Sequence, residues 1–277
     1  KMKKYLVVIF VVFFLQSCED NKVVYKPESS ARINSITVVV DNNSWNNTIG
    51  DKIRNLYADE YEGLPQIEER FTLKQMPYEA FSGFSRSSRN IIFINKKSNP
   101  EFFFEVDKYA RPQIYLEIKG NSIKSILEQI DKSKKEAINK FTNGEIEENK
   151  RRILKSPLKD TFAMDDFSIN MKMPSAYSLY KQDKNFIWYQ KQIQKGHSNI
   201  IVTQLPSQKN IFDYNIPSVI KLRDSIGEVF LPGRNPESFM ISEKEYLPYQ
   251  KKVNYYGIKM LETRGTWEVK GLSLIHI

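Results

Sequence analysis

The chain's single cysteine, Cys18, stands at the end of a segment built for one kind of chemistry, covalent attachment of lipid. Lys1, Lys3 and Lys4 precede an unbroken apolar run from Leu6 to Leu15, and small Ser17 sits immediately before Cys18. A basic start, a short apolar core and Leu15-Gln16-Ser17-Cys18 together form a lipobox. In such a segment a diacylglycerol joins the Cys18 thiol, a peptidase cuts after Ser17, and the new amine is acylated in turn. Ten apolar residues are too few to cross a bilayer core, which takes about 20. They match a signal core of roughly 7 to 15. The expectation is a protein lipid-anchored to a membrane of the cell envelope, on a face the sequence leaves open. With Cys18 lipidated, no thiol remains for a disulfide, a thiolate metal site or a cysteine nucleophile.

Other reactive residue types are sparse. His276 lies in the last six residues, and His197 follows Gly196 in a predicted hairpin loop. A lone histidine there reads as an exposed turn residue rather than part of a triad or a zinc site. Ser85, Ser87 and Ser88 are interleaved with Arg86 and Arg89. The group reads either as an anion grip or as an ordinary polar lead-in to a strand. Glu68-Glu69 and Asp165-Asp166 are adjacent pairs whose side chains point apart, so neither makes a carboxylate dyad by itself. There is no Gly-x-Ser-x-Gly elbow, Walker loop, His-Glu-x-x-His or calcium loop. No metal and no cofactor is expected.

The segment richest in binding chemistry is Glu262-Thr263-Arg264-Gly265-Thr266-Trp267. On a strand, Glu262, Arg264 and Thr266 share one face, and Gly265 is placed to form a bulge that re-aims Trp267. Two readings stand side by side: recognition of an acidic ligand by Arg264, or a structural Glu262–Arg264 pair beside a core tryptophan. Trp45 has the same duality, cleft cover or core, and its spacing to Ile49 favours core. Glu262, Arg264, Trp267, Arg86 and Arg89 are the candidate binding residues; no catalytic residue is assigned.

These groups need elements to carry them. Ile36 to Val40 reads as a buried strand. Asp41 to Ser44 then offers N-cap residues for a helix with Trp45, Ile49, Ile53 and Leu56 on one face. Gly63-Leu64-Pro65 breaks the chain. Phe71 to Met76 alternates weakly, Pro77 to Phe84 suits a short helix, and 90–94, 102–106 and 113–118 read as strands. Ile123, Ile126, Leu127, Ile130, Ala137, Ile138 and Phe141 mark one face of a long helix, and Glu145 to Arg152 reads as its solvated continuation. Beyond Pro157 the pattern predicts strands at 167–171, 177–180, 186–189 and 199–202. A helix capped by Asn215, with Val219, Leu222, Ile226 and Val229 buried, stops at Pro232-Gly233. Strands at 238–241 and 255–262 follow. The fold class is α+β: two sheet-plus-helix units with mainly antiparallel strands, the second incomplete. In residues, that is a signal peptide at 1–17, a tether at 18–32, a first unit at 33–156 and a second at 157–271.

Composition bounds the partners. The formal net charge is +9, of which three lysines belong to the leader. A modest excess scattered along the chain is no nucleic-acid signature. The 17 Phe, 15 Tyr and 3 Trp fit a packed core and leave room for an aromatic sugar platform.

Several segments also carry a resemblance. Asp41-x-x-x-Trp45, Gly50-Asp51-x-x-Arg54, Gly63-Leu64-Pro65-Gln66, Arg89-Asn90-Ile91, Ala110-x-Pro112-Gln113 and Glu262-Thr263-Arg264-Gly265-x-Trp267 occur in that order. With the lipobox they resemble the Bacteroidetes-type envelope lipoproteins of domain-of-unknown-function family 4837. The resemblance implies a lipoprotein address and no assigned activity. Members of that family continue past the Thr-Arg-Gly-x-Trp segment with a Gly-rich turn and a further strand and helix, where this chain departs. Leu272-Ser273-Leu274-Ile275-His276-Ile277 is what a common sequencing-transposon end encodes in frame, so 272–277 reads as foreign to a protein truncated at its C-terminus.

Three functions are consistent with these features. One is a non-catalytic lipoprotein that binds an envelope protein or a cell-wall component. Another is a glycan-binding module, which needs exposed aromatic rings. The last is a hydrolase using two carboxylates brought about 5 to 9.5 Å apart by the fold.

Overall fold

The computed structural model describes residues 25–64, 68–159, 165, 167–205, 210–255 and 257–270. The leader with Cys18, residue 166 and residues 272–277 lie outside them.

Strands β1 (Ser35–Val39), β2 (Thr72–Met76), β3 (Asn90–Asn95), β4 (Glu101–Val106) and β5 (Ile114–Lys119) form a five-stranded sheet in the order β2-β1-β3-β5-β4. β1 is parallel to β2 and β3, and β3 to β5, while β4 runs antiparallel to β5. Every residue of β1 is buried, as a central strand covered on both faces must be. On one face Ile36, Val38, Ile92, Ile94, Leu116 and Ile118 meet the helices. On the other, Val39, Ile91 and Tyr115 pack with Phe81 beneath the 3-10 turns at Tyr78–Ala80 and Gly83–Ser87.

The single helix expected after β1 is two, α1 (Asn42–Trp45) and α2 (Thr48–Tyr57). Asp41 caps the first by accepting from the Ser44 amide at 3.0 Å. The joint depends on Gly50, where a Cβ would stand 1.8 Å from the Trp45 carbonyl oxygen. Helix α3 (Ile123–Lys155) runs 33 residues, about 50 Å at 1.5 Å per residue. Ser122 caps it through a reciprocal pair with Ser125. Its buried stripe runs Ile126, Ile130, Ser133, Ala137, Phe141, Glu145 and Glu148, in steps of three and four. Ile123 shares that spacing but, as the first residue of the helix, is 60 % exposed.

The second half contains a three-stranded antiparallel sheet, β6 (Ser178–Asp183), β7 (Phe186–Ile193) and β8 (Gly196–Thr203). Helix α4 (Ile216–Phe230) follows, capped by Asn215. β9 (Phe239–Ser242) pairs with β12 (Trp267–Lys270), and β10 (Tyr249–Tyr255) with β11 (Ile258–Arg264), both antiparallel. The chain is thus α+β with mainly antiparallel pairing, and among the described strands the parallel pairs lie in the first sheet. Among the described residues no helix is long and apolar enough to cross a membrane.

Several expectations need correction. Residues 167–171 form no strand; Phe167 and Met171 fold back onto Met173, Tyr177, Ile187 and Tyr189. The strand expected at 255–262 is the turn of the β10–β11 hairpin and part of its second strand, with Gly257 at φ +84°. Helix α4 is rotated from the expected face because Gly227 rests on β9, where a Cβ would be 1.8 Å from the Met240 oxygen. Val229 is left 65 % exposed. Residues 27–30 are not free tether: the amides of Ser29 and Ser30 donate to the carbonyls of Arg111 and Ser87, at 2.7 and 2.8 Å.

Ile130 sits at the centre of the α3–sheet contact with no exposed surface. Ile130→Ala is expected to cost about 2–5 kcal/mol in urea unfolding, and Ile123→Ala less than about 0.5 kcal/mol.

Candidate functional site

Arg89 immediately precedes β3 and is 1 % exposed. A guanidinium cannot shed its proton, so burial requires matching charge. Helix α3 supplies it one turn apart. Arg89 Nε and Nη2 donate to the two oxygens of Glu145 at 2.8 and 3.0 Å, and Nη1 lies 3.7 Å from Glu148. Nη2 also donates to the Arg32 carbonyl at 2.9 Å. Glu145 accepts further from the Asn34 amide, at 2.7 Å, and from the Asn90 side chain. Glu148 accepts from Arg151 and Arg152, each at 2.7 Å. Arg151 and Lys155 reach Glu28, and Arg152 donates to the Ala31 carbonyl. The stretch read as a solvated helix end is therefore partly buried. Glu145 and Glu148 continue the apolar stripe of α3 and are turned inward by Arg89.

Above this cluster is a groove of about 630 Å³. One wall is α3, with Asn139, Thr142, Glu145 and Asn149; the other is β10–β11, with Tyr249, Lys251, Tyr255 and Arg264. Residues 59–62 close one end. Gly63 makes that closure at φ +87°, where a Cβ would lie 2.8 Å from the Cβ of Tyr249. The Arg264 guanidinium lies 4.6 Å from the Tyr61 ring centre and pairs with Glu262. Glu262 also meets Lys251 at 3.6 Å and accepts from the Tyr255 hydroxyl at 3.4 Å. A hydrogen bond to Glu62 holds the Tyr249 phenol above its ordinary range.

The structure separates the candidate residues. Glu262 and Arg264 lie together on the groove, with the structural pairing described above. Trp267 belongs to a different strand pair, on which Arg223 lies 4.1 Å from the indole; Gly265 ends β11 rather than bulging it. Arg86 donates to the Phe81 carbonyl and lies over the Phe81 and Tyr109 rings. Arg89 points inward, so the pair forms no anion clamp. The neighbouring serines are engaged as well: Ser85 with the Ala80 carbonyl, Ser87 with Ser30 and Ser88 with Thr37. His197 is exposed at the start of β8. Trp45 serves both readings, packing on the core and lining a cleft beneath Arg54 at 4.6 Å. Among the described residues no three His, Cys, Asp or Glu converge to hold a metal. The acids at 145 and 148, followed by Arg151 and Arg152, were the available signal for the cluster, since i, i+3 and i, i+4 partners share a helix face.

Residues 156–274 match the family model described as a domain of unknown function, DUF4837. Over that stretch the chain is similar to the DUF4837 family. Residues 29–154 match a second model, domain of unknown function DUF8532. The groove is thus lined by both stretches: α3 and residues 59–62 come from the DUF8532 match, and β10–β11 from the DUF4837 match. Of the motifs that carried the resemblance, only Glu262 to Trp267 falls in the DUF4837 stretch. Neither family description assigns an activity. No curated protein and no solved structure matches the chain.

Hydrogen bonds from Arg151 and Arg152 bring the Glu148 carboxyl from 4.5 to about 2, against the opposing effect of burial. Asp41 is also low, at about 2 instead of 3.8: burial raises it, but Lys96 and the Ser44 cap outweigh that. Both folded values lie below the unfolded ones. Their stabilisation is therefore complete above about pH 4.5 and is lost as pH falls towards 2. Urea midpoints measured across that range should fall steeply. Glu148→Gln should be less stable at pH 7 and show a shallower acid limb; an unchanged limb would contradict the assignment.

Proposed function

We propose that this protein is a lipid-anchored component of the cell envelope that works by non-covalent binding. The observation that carries the reading is the lipobox. A basic start, an apolar core of signal length and a small residue before the only cysteine agree on one processing route. Two or more acyl chains on Cys18 would hold the protein firmly, where one chain anchors only marginally.

The arrangement of the described residues supports the binding part. The ionic clusters are closed on themselves: Arg89 with Glu145 and Glu148, Arg264 with Glu262, Lys96 with Asp41. The groove between α3 and β10–β11 sets tyrosine and asparagine side chains beside these pairs and beside Asp59, Glu60, Glu62 and Arg70, a polar lining that suits recognition by contact and hydrogen bonding. The partner is an envelope protein or a cell-wall glycan rather than nucleic acid.

Metabolic labelling with an alkyne fatty acid tests the anchor. The wild-type chain should incorporate label and fractionate with membranes. Cys18→Ala should lose the label and accumulate as precursor; normal processing of that variant would contradict the anchor. Turnover of a cell-wall or ester substrate by purified protein, abolished by replacing one carboxylate, would overturn the binding reading.

A further inference from the structure

The β6–β7–β8 sheet carries a surface that the groove does not involve. Ile187 and Tyr189 on β7 point into the core with Met173 and Tyr177. Phe186, Trp188 and Gln190 alternate with them and face the other way. One end of that second face is covered, because Phe186 stacks on Phe230 of α4 at 4.1 Å with the rings 5° apart. The other end is open.

Two features organise the open end. The β6–β7 register shifts between Leu179 and Lys181, so Tyr180 is an extra residue opposite Trp188. Such a bulge turns both of its residues towards the same side. Lys181 goes to Phe230, its Nζ 5.5 Å from the ring centre. Tyr180 lies against Trp188, with centroids 4.5 Å apart and planes at 55°, and remains 61 % exposed. Next to this pair, Asn199 Oδ1 accepts from Trp188 Nε1 at 2.9 Å and from Gln190 Nε2 at 3.1 Å. Both bonds use the same carbonyl. They fix the two amides and leave Asn199 Nδ2 as a donor and Gln190 Oε1 as an acceptor on the exposed Asn199 and the half-buried Gln190.

We infer that this face binds neutral carbohydrate, with one pyranose ring seated on Tyr180 and a pair of adjacent hydroxyls bonded to Asn199 and Gln190. The inference rests on the binding reading above and names a ligand class for it. A pyranose presents an apolar C–H face beside paired donor–acceptor hydroxyls, the same combination as one aromatic ring beside one oriented amide pair. No carboxylate or guanidinium is among the residues that form the patch, and the nearest lysines are engaged elsewhere: Lys181 is turned onto Phe230, and Lys191 lies on the opposite face over Tyr177. An anionic ligand would have to draw Lys181 away from Phe230. An apolar protein surface would bury both amides unpaired, at about 1–3 kcal/mol each. The 55° tilt between the rings makes the site a notch for a single sugar residue, not a flat platform along a chain.

Affinity electrophoresis of the full-length protein in mild detergent tests this, using gels that contain a β-glucan, a xylan or a mannan, with polygalacturonate as the anionic comparison. At least one neutral polymer should retard the protein. Tyr180→Ala and Asn199→Leu should each weaken retardation by about tenfold with little change in melting temperature, since both side chains are exposed. These two variants decide the matter even where Trp188→Ala fails to fold. Four results would each overturn the inference: no retardation in any neutral gel, equal retardation of Tyr180→Ala, retardation by polygalacturonate alone, or a dimer dissolved by Tyr180→Arg without glycan binding. Loss of glycan binding with Cys18 labelling intact removes this site and leaves the anchor standing. An unlabelled protein that is still retarded does the reverse.

Discussion

A permanent positive charge with almost no contact with water is the constraint around which the first half of the molecule is organised. Burying Arg89 is tolerable only if opposite charge and hydrogen-bond acceptors arrive with fixed geometry. Glu145 provides both oxygens, Glu148 adds a second negative charge, and the Arg32 carbonyl accepts another bond. Helix α3 must therefore extend beyond its apolar stripe far enough to deliver two carboxylates at the mouth of β3. The same carboxylates recruit Arg151 and Arg152, whose outward reach fixes Glu28 and Ala31. The N-terminal strap, the start of the central strand β3 and the helix end thus share one electrostatic unit, and Glu145 is also part of the groove lining.

The second half joins this unit by a different kind of contact. Residues 59–64 turn onto the β10–β11 hairpin through Gly63, and Arg264 lies against Tyr61. Ion pairing around Glu262 is local to the hairpin. With both sets of charges paired internally, the groove sets phenols and amides beside those pairs, and the β6–β7–β8 face offers aromatic rings and amides. That division explains why the charged residues with the most promising spacing turn out to be structural, while the inferred sugar notch uses uncharged side chains.

Sequence pattern revealed elements more readily than sites. The continuous β-branched run at 36–40, the Ile/Leu stripe of α3 and the Asn215 cap each follow from local periodicity or capping, and the structure has an element at each. The inward turn of Glu145 and Glu148 was hidden because an acidic stripe with following arginines looks the same on a solvated helix; only the position of Arg89, 56 residues earlier, reverses its meaning. The bulge at Tyr180 was hidden for a related reason, since register is set by the partner strand and not by the strand itself. Gly265 carried the opposite error: a glycine suited to a bulge ends one strand before Trp267 begins another with β9. Cys18 remains legible only as sequence.

Coupling between Arg89 and Glu145, which holds α3 to the sheet, can be measured by a double-mutant cycle. Arg89→Met, Glu145→Gln and the double variant would be compared in urea unfolding at pH 7. Each single change is expected to cost about 3–5 kcal/mol, because it leaves a buried charge unmatched. The double variant should be more stable than the sum of the single losses implies, by about 2 kcal/mol or more. Additive losses, with a coupling energy within about 0.5 kcal/mol of zero, would contradict the account.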